Sequence, residues 1–175
     1  MMLSAEIEAV ANPAADFTSD RLSAANIHPE TRLATDYLNH FNEVVMLIDM
    51  LPMMPDCAAD IASWRPRSYV EHFAASWFKE RDLAIAAYST VDPARRHAFE
   101  ATVAAIDAAI AAVQTILAFV PEADEQTFAT IAAIADHEVK PLLEHASGLI
   151  NGGPVRAPER SDANHAQSAV DALFG

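Results

Sequence analysis

Four stretches of the chain place apolar residues at alternating spacings of four and three, the pattern of helices that bury one face. Leu33, Tyr37, His40, Val44, Leu47, Leu51 and Met54 form the first seam, and Val70, Phe73, Trp77, Ala84, Ala87 and Val91 form the second, with Glu80 at a seam position. The third is the cleanest: Phe99, Val103, Ile106, Ile110, Val113, Leu117 and Val120. The fourth runs through Phe128, Ala132, Ala135, Val139, Leu142, Ala146 and Leu149.

Punctuation between the seams sets expected boundaries. Pro29 can occupy a first helical position, so the first helix is predicted from about Pro29 to Met53, ended by Pro52 and Pro55. A short turn over Cys57 to Trp64 is stopped by Pro66. Ser68 and Glu71 have capping-box spacing and open a second long helix to about Val91. Asp92-Pro93 starts the third, which runs to Phe119 before Pro121 breaks it. Asp124 can cap the fourth, which runs to Ile150. Pro141 lies inside this helix and should kink it, because proline has no N–H for the carbonyl of His137. Asn151-Gly152-Gly153-Pro154 is a stop signal.

Short connections between long helices favour antiparallel neighbours. The expected fold is therefore all-α, an up-down bundle of about four long helices over residues 29–152. A mobile N-terminal arm (1–28) is expected before it, and a linker with a C-terminal peptide (153–175) after it.

Composition agrees with that class. Of 175 residues, 52% are apolar and only 4 are glycine, so the chain can build a core but has few turn residues for many short strands. The net charge of −14 argues against nucleic acid and anionic membrane as partners. Glu100, Asp107 and Gln114 interrupt the most apolar stretch, which reads as a core helix and not a membrane span. Cys57 is the single cysteine, so one chain can form neither an internal disulfide nor a cysteine-based zinc site. The first residues lack the positive start of a secretory signal, and a cytoplasmic location is expected. Spare apolar surface would allow a homodimer.

His40 stands out as a polar residue in a seam, with Asp36 and Glu43 one turn away on either side. A histidine flanked by carboxylates is the raw material of a bundle site for a divalent transition metal, completed from facing helices by residues such as His72 or His137. Asp36, His40, Glu43 and His137 are the candidate ligands. The Glu-x-x-His pairs of di-iron bundles are absent. Trp64-Arg65-Pro66 followed by Ser68 and Glu71 resembles the DinB/YfiT-like family of metal-binding four-helix bundles. The resemblance covers about thirty residues and implies a bundle fold. That family places a metal histidine seven residues after the serine; here Ala75 holds that position, and the nearest histidine is His72.

Enzyme signatures are thin. No glycine-rich phosphate loop exists, and Ser68, Ser76 and Ser89 lack a nucleophile-elbow context. The expectation leans away from catalysis. Trp64 and Trp77 read as core anchors, and Met46, Met50, Met53 and Met54 as helix-end packing.

The chain ends Gln167-Ser168-Ala169-Val170-Asp171-Ala172-Leu173-Phe174-Gly175. Val170, Leu173 and Phe174 fall at i, i+3 and i+4, one apolar face on two helical turns. Gln167, Val170, Asp171, Leu173 and Phe174 together resemble the peptide that flagellar switch proteins and the chemotaxis phosphatase dock on CheY-like receiver domains. The resemblance covers about nine residues; Ala166 and Ala169 replace the usual serine and acid. It implies a protein partner, a receiver domain, and a non-enzymatic or regulatory role in two-component signalling. The phosphatase's water-positioning glutamine has no counterpart motif around Gln114 or Gln126.

Overall fold

The structure, a computed structural model, describes residues 17–120, 124–158 and 170–172. Among these the regular structure is all helical, with one isolated bridge between Ile27 and Ala34. The elements are α1 (Ser19–Ala24), a 3₁₀ turn (Thr35–Leu38) leading into α2 (Asn39–Met50), α3 (Cys57–Ser63), α4 (Tyr69–Ala75), α5 (Arg81–Tyr88), α6 (Pro93–Phe119), α7 (Glu125–Ile134), a π turn (Ala135–Val139) and α8 (Lys140–Ile150).

Three helix starts follow the cap chemistry written in the sequence. Ser68 and Glu71 make a full capping box at α4. The Asp92 carboxylate accepts from the Arg95 N–H at α6, and Asp124 accepts from the Thr127 N–H at α7. The end of α8 is equally well specified. Gly152 adopts φ +85°, and the Gly153 N–H reaches back to the Gly148 carbonyl at 2.7 Å, closing the helix with a left-handed glycine.

Two expected boundaries move. Residues 17–28 belong to the folded unit instead of a mobile arm: Thr18 caps α1, and Leu22, Ala25 and Ile27 are buried in the core. The first long helix begins at Thr35, not Pro29. His28 Nδ1 accepts from the N–H groups of Glu30 and Thr31, both at 3.3 Å, and Arg32 turns left-handed at φ +61°. This side-chain cap folds Pro29 into a tight loop, and Thr31 then ties that loop to α8 by donating its hydroxyl to the Ile150 carbonyl at 2.6 Å.

The second expected helix is broken in two. Ser76 takes an extended backbone, donates its hydroxyl to the Phe73 carbonyl and accepts from the Phe78 N–H, while Arg81 caps the Ser76 carbonyl. The seam therefore jumps by one residue: Phe78 packs against Phe73, and Trp77 is 100% exposed. Trp77 is no core anchor, whereas Trp64 is buried as expected.

Helix α6 runs unbroken for 27 residues. It is long and apolar enough to cross a membrane by length and composition alone, but Phe99, Ile106, Ile110 and Val113 are fully buried in a protein core. It packs on α8, α7 and α3. Arg95 at its start donates to the carbonyls of Leu149 (2.7 Å) and Gly153 (3.1 Å) at the end of α8, so the two helices run antiparallel. The helix is irregular one turn ahead of Pro141. The ladder widens to a π turn, and the Lys140 N–H bonds the Ala135 carbonyl five residues back. Lys140 also bridges Asp136 and, across to α2, Asp49.

Candidate functional site

The residues singled out from the sequence meet different fates. His40 is buried beneath the start of α2, where its Nε2 lies 2.9 Å from the Arg65 carbonyl. A carbonyl can only accept, so Nε2 carries the proton. The ring stacks on the Trp64 indole with centroids 4.7 Å apart, and Trp64 Nε1 returns a bond to the His40 carbonyl at 3.2 Å. Burial lowers the His40 pKa, the Arg65 carbonyl opposes that shift, and His72 and Arg67 add to it. The imidazole is a neutral strut that fastens the 64–65 connection to α2.

The other proposed metal ligands do not gather around it. Asp36 sits on the 3₁₀ turn, Glu43 is exposed on α2, and His137 is exposed on the π turn. Among the described residues no three His, Cys, Asp or Glu side chains are placed to share one metal ion. His72 on α4 does approach His40, with ring centroids 5.9 Å apart, and its Nδ1 is buried without a hydrogen-bond partner. Asp36 Oδ2 is likewise buried and unpartnered. Burial and then Arg67 lower the His72 pKa, while Asp36 raises it.

Gln114, one of the two bundle glutamines, is committed to structure. Its amide donates to the carbonyls of Ile61 (2.9 Å) and Trp64 (2.8 Å), which cap the end of α3. Of the tail residues, Gln167, Leu173 and Phe174 lie outside the described residues. Residues 170–172 are helical, Val170 is half-buried against the core, and Asp171 is exposed.

A concave site that the sequence did not flag lies on the other side of α4. It is a groove of about 440 Å³ between the 66–71 segment, Tyr88 of α5 and one face of α6. Its inner wall is aromatic: Tyr69 stacks on Tyr88 at 4.3 Å and 13°, and Tyr37 packs against both Tyr69 and Phe99 at 5.3 and 5.8 Å. Each phenol oxygen has a hydrogen-bond partner. Tyr37 donates to the Arg67 carbonyl, Tyr88 donates to Glu100, and Tyr69 accepts from the Ala34 N–H. Burial raises all three phenol pKa values, so they stay protonated. Asp107 lies in the same groove, half-buried, with Oδ1 shielded from solvent and unpartnered. Burial alone lifts its pKa to about 6. Glu100 and Asp107 stand seven residues apart in the sequence, two turns along one face of α6.

Comparison with protein-family models, with curated proteins and with solved structures finds no match.

Proposed function

We propose that this chain is a non-enzymatic, cytoplasmic regulatory bundle that docks on a protein partner, a CheY-like receiver domain, through its C-terminal peptide. In this reading α2, α4–α5, α6 and α7–α8 form the four arms of an up-down bundle. The observation that carries it is the state of residues 170–172: they are helical, with Val170 half-buried against the bundle and Asp171 exposed. The sequence spacing of Val170, Leu173 and Phe174 at i, i+3 and i+4 is the spacing of one helical face, which a helix-in-groove ligand needs.

The bundle's own surface then competes for that apolar side. A partner must outbid a short contact, since a helix of two turns has little stability of its own. The 153–158 connection is held close to α8, because Arg95 bonds the Gly153 carbonyl and His145 Nε2 lies 3.1 Å from the Arg156 carbonyl. The peptide is thus presented from a fixed point, which raises its local concentration near any partner that also touches the bundle.

The test is calorimetric titration of purified receiver domains from the source organism with the intact chain and with a Leu173→Ala, Phe174→Ala variant. Saturable binding that the variant loses supports docking. Binding that is absent throughout, or equal for both chains, removes the proposal.

A further inference from the structure

We propose that the groove between the 66–71 segment and α6 binds an organic ammonium ion with an apolar stem, its charge held at Asp107 and its stem lying against Tyr37, Phe99 and Val103. The site differs in place and chemistry from the peptide at the chain's end, and nothing in the docking proposal requires it.

Size comes first. About 440 Å³ is room for a small organic molecule, and the lining is largely apolar with a few polar groups, the usual make-up of a small-molecule site. Charge comes next. Besides the three phenols, four acidic or basic side chains face the groove: Arg67, Glu71, Glu100 and Asp107. Glu71 is held by the Ser68 N–H at 2.8 Å, and its pKa is lowered first by that bond and further by Arg67, so the one guanidinium at the rim is already offset. Glu100 accepts from Tyr88 at 2.7 Å and keeps a second oxygen. Asp107 has a buried oxygen with no donor at all. The surplus is negative, and no donor reaches the buried Asp107 oxygen.

Geometry narrows the ligand further. Glu100 and Asp107 are two turns apart on α6, roughly 10 Å along its axis, with Val103 and Ala104 forming the floor between them. A cation at Asp107 can run its hydrocarbon stem along that floor toward Glu100. Aromatic faces beside it suit an ammonium better than a carboxylate, because the ring quadrupole attracts cations and repels anions. An amide or hydroxyl donor would also satisfy Asp107, but the chain's net charge of −14 enriches cations near its surface and depletes anions.

A bound ammonium stabilises the ionised carboxylate. Affinity should therefore fall as pH drops through about 6, where Asp107 takes up a proton. Glu71 is shifted down and the tyrosines stay neutral, so neither produces that window.

The experiment is isothermal titration of the full chain with hexylammonium, with hexanoate as the anion of matching shape, at pH 7.5 and pH 5. Asp107→Asn and Ala104→Phe are titrated alongside; the latter fills the groove from an exposed helix position without touching a charge. Thermal melts establish that both variants are folded. The expected result is one saturable hexylammonium site, weakened about tenfold or more by either substitution and by the lower pH, with no hexanoate binding. Three results would overturn the proposal: no saturation up to about 10 mM, equal or tighter binding of hexanoate, or wild-type affinity in Asp107→Asn.

Discussion

Gln114→Leu tests whether this glutamine is structural. The side chain reaches from the middle of α6 to the end of α3, and its amide nitrogen donates to the Ile61 and Trp64 carbonyls at 2.9 and 2.8 Å. Leucine keeps the volume and removes both bonds. A neutral hydrogen bond contributes about 1 kcal/mol net, so two set a starting figure of about 2 kcal/mol. The carbonyls are not left bare: the Trp64 N–H also bonds Ile61 at 3.2 Å, and the Arg65 guanidinium also bonds Trp64 at 2.7 Å. The large penalty for a naked buried acceptor is therefore avoided, and the extra apolar contact of leucine returns a little. The expected loss is about 1.5 kcal/mol, or a fall in Tm of about 3–6 °C for a chain of this size. Urea unfolding followed by far-UV circular dichroism measures it. Gln114→Glu sharpens the test, because an isosteric carboxylate aims negative charge at two carbonyl oxygens. It should cost more than leucine at pH 7, with part of the loss recovered as the acid protonates. A Gln114→Leu protein within about 0.3 kcal/mol of wild type, or a glutamate variant more stable than the leucine one, would refute the reasoning.

Other outcomes follow from the same structure. Asp107 has a folded-state pKa near 6, above its unfolded value. The stability it permits is complete below the unfolded carboxylate pKa and is lost as pH rises through about 6. Asp107→Asn should therefore gain about 1 kcal/mol at pH 8, discounted for half-exposure, and little at pH 4, read from urea midpoints at both pH values. His40 and His72 carry the opposite sign. Their pKa values are lowered by burial, so their contribution is present above pH 6.5 and is lost as pH falls through the lowered values. In the Asp107→Asn background, melts from pH 7.5 to 5 should show a destabilisation that His40→Gln reduces. Gly152→Ala should cost about 1–2 kcal/mol by thermal melt. The left-handed backbone is the whole reason, since an added Cβ would meet nothing closer than the His28 ring at 3.8 Å. Of the two tryptophans, Trp77 is 100% exposed and Trp64 8%. Acrylamide should quench Trp64→Phe, which retains Trp77, far more than Trp77→Phe.

The sequence by itself determined the helical class, the limits of α6, the three side-chain N-caps, the glycine stop after α8 and a disturbance ahead of Pro141. These are local: a cap acts over three residues, a proline over four, and a seam spacing is fixed by the helical repeat. Tertiary structure decided what local rules leave balanced. Trp77 left the core because Ser76 capped the preceding turn with its own hydroxyl, and Phe78, partly buried, packs on the core in its stead. Pro29 could open a helix, but the His28 ring and the bond from Thr31 to Ile150, 119 residues away, drew it into a loop. His40 lay on the predicted face and was buried there. Its partners, the Arg65 carbonyl and the Trp64 ring, come from a connection whose path periodicity does not encode. The groove at Asp107 needs α4, α5 and α6 side by side, and a carboxylate acquires a pKa near 6 from the apolar surface that other elements bring to it.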